Sequence, residues 1–419
     1  MSELKNRRNN LFARMKEGSA AVVFAGAPKI SSEDAQYPFL ANRNFFYLTG
    51  IEQENSILLL VKGLGEKKVY LFVDEYNELK EKWTGKRLSF EEASSVADVD
   101  NVYATTSFEH MLSLALKATD NQYGKISTLY IDLSPELKIK DAYSTVDFED
   151  FIHLEYPNTE TTNIYPMIRD LRMVKSIIEV RNIVNAIDLT NGGISQLILD
   201  LKPGLVEKSL ADTFEFYGRK HGCYQLAFST IVAGGRNATC LHYPQQKDTL
   251  KDNSLVLFDL GYTCEGYSAD ISRTYPVNGK FTPLQKNIYE AVLACNKAVI
   301  GYVKSGMTIN DLQTYATEIL KKECIARGLM NENDDIRKYY YHNVSHFLGL
   351  DTHDVGDRTK PLEDGNVITV EPGLYFAEHG IGVRIEDDVL IRDGVGECLS
   401  KNIAKEVRDI EKIFESKRR

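Results

Sequence analysis

Two stretches of this chain place acidic residues at the ends of apolar strands, and burying them constrains the fold more than any other feature. In Leu255–Val277 (LVLFDLGYTCEGYSADISRTYPV) an apolar strand runs into Asp259, a glycine-bounded turn spans Gly261–Gly266, and a second strand carries Asp270. A hairpin centred between Cys264 and Glu265 sets Asp259 opposite Asp270, with Cβ atoms ~4.5–5.5 Å apart on one face. The same order recurs in Val367–Leu390 (VITVEPGLYFAEHGIGVRIEDDVL). There a hairpin centred between Glu378 and His379 sets Glu371 opposite Glu386. Facing carboxylates beside apolar neighbours such as Phe258 and Leu260 are desolvated and repel, so each pair needs a proton or a cation. The two hairpins read as a duplicated half-site.

Between them, Tyr341–Gly356 (YHNVSHFLGLDTHDVG) holds His342, His346 and His353, three of the eight histidines. Neutral imidazole is the commonest nitrogen ligand for a borderline metal. Four carboxylates and one histidine suit two divalent cations with shared carboxylates between them. Such a pair, ~3.5–4 Å apart, activates a water and polarises a carbonyl. Competing motifs are missing: there is no H-E-x-x-H, no P-loop and no complete G-x-G-x-x-G, and Gly266–Asp270 lacks the last glycine of a nucleophile elbow.

The chain has 419 residues, which at roughly 150 residues per domain predicts two or three domains. Fifty basic against sixty acidic side chains give a net charge of −10, which disfavours nucleic acid and anionic membranes as partners. The polar start and the lack of an apolar run of ~18–20 residues predict a soluble, cytoplasmic protein. Six cysteines without a C-x-x-C pair read as reduced thiols.

Strands are expected at Ala20–Gly26, Ser56–Lys62, Lys68–Asp74 and Thr128–Asp132, with helical patterns between them such as Phe90–Val96. They make an α/β lobe of residues 1–170. The lobe junction is expected near residue 171, where Arg172–Ser195 reads as one long amphipathic helix with a capping box at Ser176 and Glu179. Residues 171–419 form the second lobe. There Thr282-Pro283-Leu284-Gln285 opens a further helix with a capping box and proline at the first helical position.

The strings LFDLG with SADISRTYPV, SHFLGLDTHDVG, VEPGLY and GVRIEDD resemble the five-ligand signature of the dinuclear metallopeptidases with the pita-bread fold. That family includes methionine aminopeptidases, prolidases and Xaa-Pro aminopeptidases. RRNNLFARMKEGSAAVVFAG and YPFLANRNFFYLTGIEQENSILLLVKG resemble the N-terminal domain of Xaa-Pro aminopeptidases, which methionine aminopeptidases usually lack. The resemblance implies an α+β chain, with an α/β lobe before a pita-bread catalytic domain. It implies Asp259, Asp270, His346, Glu371 and Glu386 as ligands of two divalent ions, manganese best suiting an oxygen-rich site, with Asp270 and Glu386 bridging. It further implies His242 and His353 as catalytic histidines supporting the carbonyl and the tetrahedral intermediate, and Glu371 as the proton shuttle. His342 is implied as a pocket histidine, and a homodimer or homotetramer as the assembly. Arg384, two residues before Glu386 on the same strand face, is placed to orient a carboxylate at the substrate site, and the lone tryptophan, Trp83, reads either as a residue that restricts the active site or as a core anchor of its own lobe. The reaction implied is hydrolysis of an N-terminal Xaa-Pro bond. A prolidase confined to dipeptides and a metal-free binding module on the same fold are the alternatives.

Overall fold

Short apolar strands alternating with helices build a mixed six-stranded sheet in the first of two units. The structure, a computed structural model, describes residues 2–117, 123–134 and 145–417. Its units are Met1–Arg172 and Met173–Arg419. In the first, β1 (Ser19–Phe24), β2 (Ile57–Lys62), β3 (Lys67–Val73), β4 (Asn101–Ala104), β5 (Thr128–Ile131) and β6 (Glu160–Asn163) lie in the order β4-β3-β2-β1-β5-β6. The β1–β2 and β2–β3 pairs are antiparallel, whereas β3–β4, β1–β5 and β5–β6 are parallel. The run Ala20–Val23 is buried completely, as its unbroken apolar sequence requires.

The expected helix over Arg172–Ser195 is two helices. Tyr165–Met173 ends first, and Ile177–Asp200 starts afresh behind the capping box, with Ser176 Oγ accepting from Glu179 N and the Glu179 carboxylate accepting from Ser176 N. A residue with a β-region backbone is what an N-cap needs, so Ser176 breaks the periodic run rather than continuing it. The box at Thr282 and Gln285 likewise opens the helix Pro283–Tyr302.

The second unit assembles its strands as two antiparallel systems. β7 (Ile231–Gly234), β8 (Leu255–Leu260) and β11 (Ile271–Pro276) form one sheet in the order β11-β8-β7, extended at the hairpin tip by β9 (Thr263–Cys264) and β10 (Tyr267–Ser268). β12 (Val367–Val370), β15 (Asp387–Arg392) and β16 (Val395–Cys398) form the other, next to the pair β13 (Gly373–Phe376) and β14 (Ile381–Arg384). The helix Ile177–Asp200 packs on β9 and β10, and Pro283–Tyr302 packs on β12, β14 and β16. Among the described residues no helix is long and apolar enough to cross a membrane.

Register decides which side chains meet. In the first hairpin Asp259 pairs with Ser272, not with Asp270. The turn is centred one residue later than expected, between Glu265 and Gly266, because Cys264 pairs with Tyr267. Both central residues have positive φ, +49° and +80°, and such a two-residue turn favours glycine. The offset moves the pairing by two residues, so Asp270 keeps its face and lies diagonal to Asp259. Opposite Asp270 comes Gly261, where a Cβ would lie 2.0 Å from the Ala269 carbonyl oxygen. The second hairpin has the expected register. Val370 pairs with Asp387 and Gly373 with Arg384, which brackets Glu371 opposite Glu386.

Candidate metal centre

Strand alternation sorts the charged residues of these hairpins into two sets. Asp270 and Ser272 share one face of their strand, and Arg384, Glu386 and Asp388 share one face of theirs, directed at each other. Ser272 Oγ donates to Glu386 Oε2 at 2.7 Å, and Asp388 Oδ2 accepts from Asp270 N at 3.2 Å. His346 reaches them from a segment running beside β12. Its backbone carbonyl accepts from Thr369 N at 2.9 Å, and two residues earlier the Val344 carbonyl accepts from Glu371 N at 2.8 Å.

Asp270, His346 and Glu386 each offer a ligand atom within 4.8 Å of the others. His346 Nε2 lies 3.3 Å from Asp270 Oδ2 and 3.6 Å from Glu371 Oε1. Asp259 joins through its partners, with Oδ1 3.2 Å from Ser272 Oγ and Oδ2 accepting from Arg384 Nη2 at 2.5 Å. Asp259, Asp270, Glu386 and Arg384 are buried and Glu371 is half-buried. The structure therefore brings all five residues of the expected ligand set to one place, every one of them from the second unit.

This cluster is electrostatically incomplete on its own. Burial, followed by repulsion from Glu386 and Asp259, holds Asp270 well above the ordinary carboxyl range. Burial and then Glu386 raise Glu371 in the same way. Burial and then Asp259 push Glu386 up to about 7. One guanidinium, Arg384, faces four carboxylates. His346 adds the decisive detail. Its Nδ1 lies 3.0 Å from the Phe347 carbonyl oxygen, which can only accept, so Nδ1 carries the proton. Nε2 is left facing two carboxylates, where it can join them as a ligand. A cation bound between Nε2 and the carboxylates would complete the cluster, and an imidazole fixed through its other nitrogen to a carbonyl is how histidine ligands are oriented.

The other expected residues take different places. His353 stacks edge-on against His346, with ring centroids 4.4 Å apart. Burial, then the nearby His346 and His242, lower its pKa. His242 is exposed on the loop after β7. His342 has both nitrogens engaged, Nδ1 donating to the Asn343 carbonyl at 2.8 Å and Nε2 accepting from Tyr375 Oη at 2.8 Å. Burial and then Arg384 bring its pKa down to about 3, so it is neutral. Arg384 also donates from Nε to Ser272 Oγ at 2.7 Å and from Nη1 to Tyr375 Oη at 3.2 Å. Trp83 stands on the helix Glu78–Thr84 of the first unit, 84% exposed.

Sequence reasoning did not single out Ser272 or Tyr375, which link Asp259, Arg384, Glu386 and His342. It also passed over a second charge set on the far face of the same strands. Arg273 Nη2 donates to Asp387 Oδ1 at 2.7 Å, and Lys405 Nζ to Asp387 Oδ2 at 2.6 Å. Arg273 Nη1 donates to the Glu386 carbonyl as well, and Asn296 Nδ2 holds the Val370 and Ile385 carbonyls. Residues adjoining Glu371 and Glu386 are thereby anchored from behind. The signal was an arginine and extra aspartates inside otherwise apolar strands.

Residues 181–393 match the sequence profile of metallopeptidase family M24, and residues 4–123 that of the aminopeptidase P N-terminal domain. The chain belongs to metallopeptidase family M24. Among its M24 relatives, a Haemophilus influenzae protein named Xaa-Pro aminopeptidase is 33% identical over 98% of this chain and 97% of its own length. A solved Bacillus anthracis structure, assigned to aminopeptidase P, is 39% identical with a TM-score of 0.95, covering 99% of this chain and 98% of its own. Aminopeptidase P from E. coli with the inhibitor Pro-Leu is 29% identical with a TM-score of 0.90, covering 100% and 99%. The fold is thus that of the M24 peptidases, an N-terminal domain followed by a pita-bread catalytic domain, and the M24 assignment makes it a metal-dependent peptidase.

Proposed function

We propose that this chain hydrolyses the peptide bond between an N-terminal residue and a proline in second place, releasing the first amino acid. The observation that carries this reading is likeness along nearly the whole chain, both lobes included, to a protein named Xaa-Pro aminopeptidase. Asp259, Asp270, His346, Glu371 and Glu386 would hold two divalent ions, of which manganese fits the oxygen-rich, one-imidazole donor set. When bound, the ions supply a water of lowered pKa as nucleophile and polarise the scissile carbonyl.

The protein's own groups do the rest. Glu371 would take the proton from the nucleophile on a carboxylate oxygen and deliver it to the proline nitrogen that leaves. His353 and His242 donate to the carbonyl oxygen as negative charge develops there. Asp259 receives the free amine of the substrate. Arg384 acts on the substrate through Asp259, whose carboxylate it orients, and His342 lines the pocket with its ring. We infer a homodimer or homotetramer, in which Trp83 meets the substrate or a neighbouring copy, supported by its exposure beside Tyr76 and Leu79. A cytoplasmic setting accords with six free thiols.

A peptide panel together with metal analysis tests the reading. Xaa-Pro-Yaa-Zaa peptides should be cleaved after the first residue by protein holding two equivalents of metal, and chelator should stop the reaction. Cleavage confined to Xaa-Pro dipeptides would reassign the chain as a prolidase. Metal-free protein that binds peptides without cutting them would remove the enzymatic reading altogether.

A further inference from the structure

One buried carboxylate outside the cluster holds both ends of the loop that carries His242. Glu207 opens the helix Glu207–Lys220 and is fully buried. Its Oε1 accepts from Gly234 N at 2.7 Å and Asn237 Nδ2 at 2.9 Å, and its Oε2 from Asp248 N at 3.1 Å. Gly234 ends β7, the strand whose Ile231 pairs with Asp259, and Asp248 lies where the loop returns. The main chain repeats the hold, with Glu207 N donating to the Asp248 carbonyl and Lys208 N to the Gln246 carbonyl.

Asn237 extends the grip toward the tip. Its Nδ2 lies 3.1 Å from Tyr243 Oη, on the residue after His242, and 3.0 Å from Asp248 Oδ2. The Gly234, Asn237 and Asp248 N–H groups all donate to the Glu207 carboxylate, and the Tyr243 hydroxyl reaches it too, so its two oxygens gather the loop's donors at one point. Helix capping does not account for the arrangement, because these donors come from the loop and not from the helix's first turn. We propose that Glu207 is a positioning residue for His242, fixing the loop so that the imidazole stands ready at the substrate carbonyl. This rests on the reading that His242 acts on the bound peptide.

The test compares wild type, Glu207→Gln, His242→Ala and the double variant on an Xaa-Pro-Yaa-Zaa peptide, with metal content and amide hydrogen exchange measured alongside. A glutamine turns a donor toward one of the loop's N–H groups. Glu207→Gln should lower kcat ~10- to 10²-fold, the scale of a small misplacement, with KM and metal content nearly unchanged. Amides across residues 234–248 should exchange faster, and in the His242→Ala background the substitution should cost nothing further. An equal loss in both backgrounds, or unchanged exchange over 234–248, overturns the proposal. Should Glu207→Gln fail to fold, Asn237→Ala takes its place, with a smaller loss that also vanishes in His242→Ala. If His242→Ala alone keeps the wild-type rate, the reading of His242 fails, and exchange over 234–248 alone decides whether Glu207 holds the loop.

Discussion

Ser272 faces Asp259 across the β8–β11 ladder and donates a hydrogen bond from its hydroxyl to Glu386 Oε2, 2.7 Å away on the other strand system. A small neutral side chain thus ties together two carboxylates that come from separate hairpins. It also accepts from Arg384 Nε at 2.7 Å, so the one guanidinium in the cluster is placed through it.

Removing that hydroxyl separates supporting residues from ligands. Ser272→Ala should leave the fold intact and weaken metal affinity ~10- to 10²-fold, the usual range for groups that orient ligands. Asp270→Ala or Glu386→Ala should abolish hydrolysis and lower the metal bound at saturation. Isothermal titration with Mn²⁺ and elemental analysis distinguish the two cases. An Asp270→Ala protein with full activity and two bound ions would sink the ligand assignment.

The stability of the metal-stripped protein should fall as pH rises. Glu386, pushed up to about 7 by burial and Asp259, lies above the roughly 4.3 of an unfolded glutamate. A group raised in this way contributes stability that is complete below the unfolded pKa and lost as pH climbs through the folded one. Asp270 and Glu371 are raised too and act in the same direction, whereas His342 and His353, lowered by burial, act in the opposite one, and the three raised carboxyls outweigh the two imidazoles. Calorimetry in chelator should therefore give a higher Tm at pH 5 than at pH 8, with Glu386→Gln reducing the difference. Metal should stabilise most at the higher pH, where it does not compete with protons. A chelated protein whose Tm rises between pH 5 and 8 would contradict the picture of mutually repelling buried carboxylates.

His353 offers a kinetic test of its own. Its ring packs on His346 without replacing it, so His353→Ala should retain metal. Loss of one donor to the developing oxyanion costs ~2.7–4 kcal/mol, or 10²–10³ in kcat. If metal content falls in step with kcat, His353 is a ligand and not a donor.

Local pattern explains what was legible in the sequence. Glu371 and Glu386 could be placed opposite each other because the chain between them turns at Gly380, with φ +60°, and the register on either side continues without a bulge. The first hairpin was misjudged by one residue at its turn, since glycines stand at both Gly261 and Gly266 and only Gly266 is a central turn residue. Faces survived that error because side chains alternate with a period of two. The anchor of Asp387 by Arg273 and Lys405 could not be read. Its members are far apart in sequence, and nothing local says which buried cation meets which buried acid. Nor does local pattern reveal that Glu207 serves the His242 loop.

Trp83 decides whether the first unit has work beyond folding. At 84% exposure, with Tyr76 and Leu79 at 74% and 67%, it contributes nothing to a core within this chain. A tryptophan buries 150–250 Å² when covered, so an interface gains much from it and the isolated fold almost nothing. Trp83→Ala should leave Tm and metal content nearly unchanged, within the roughly ±0.5 kcal/mol of an ordinary surface change. The same variant should weaken self-association in sedimentation and lower kcat/KM for the shortest peptides, where a restricted site matters most. Unchanged kinetics together with an unchanged sedimentation profile would remove Trp83 from both roles. A wild-type monomer at micromolar concentration would rule out the version in which a neighbouring copy supplies the residue.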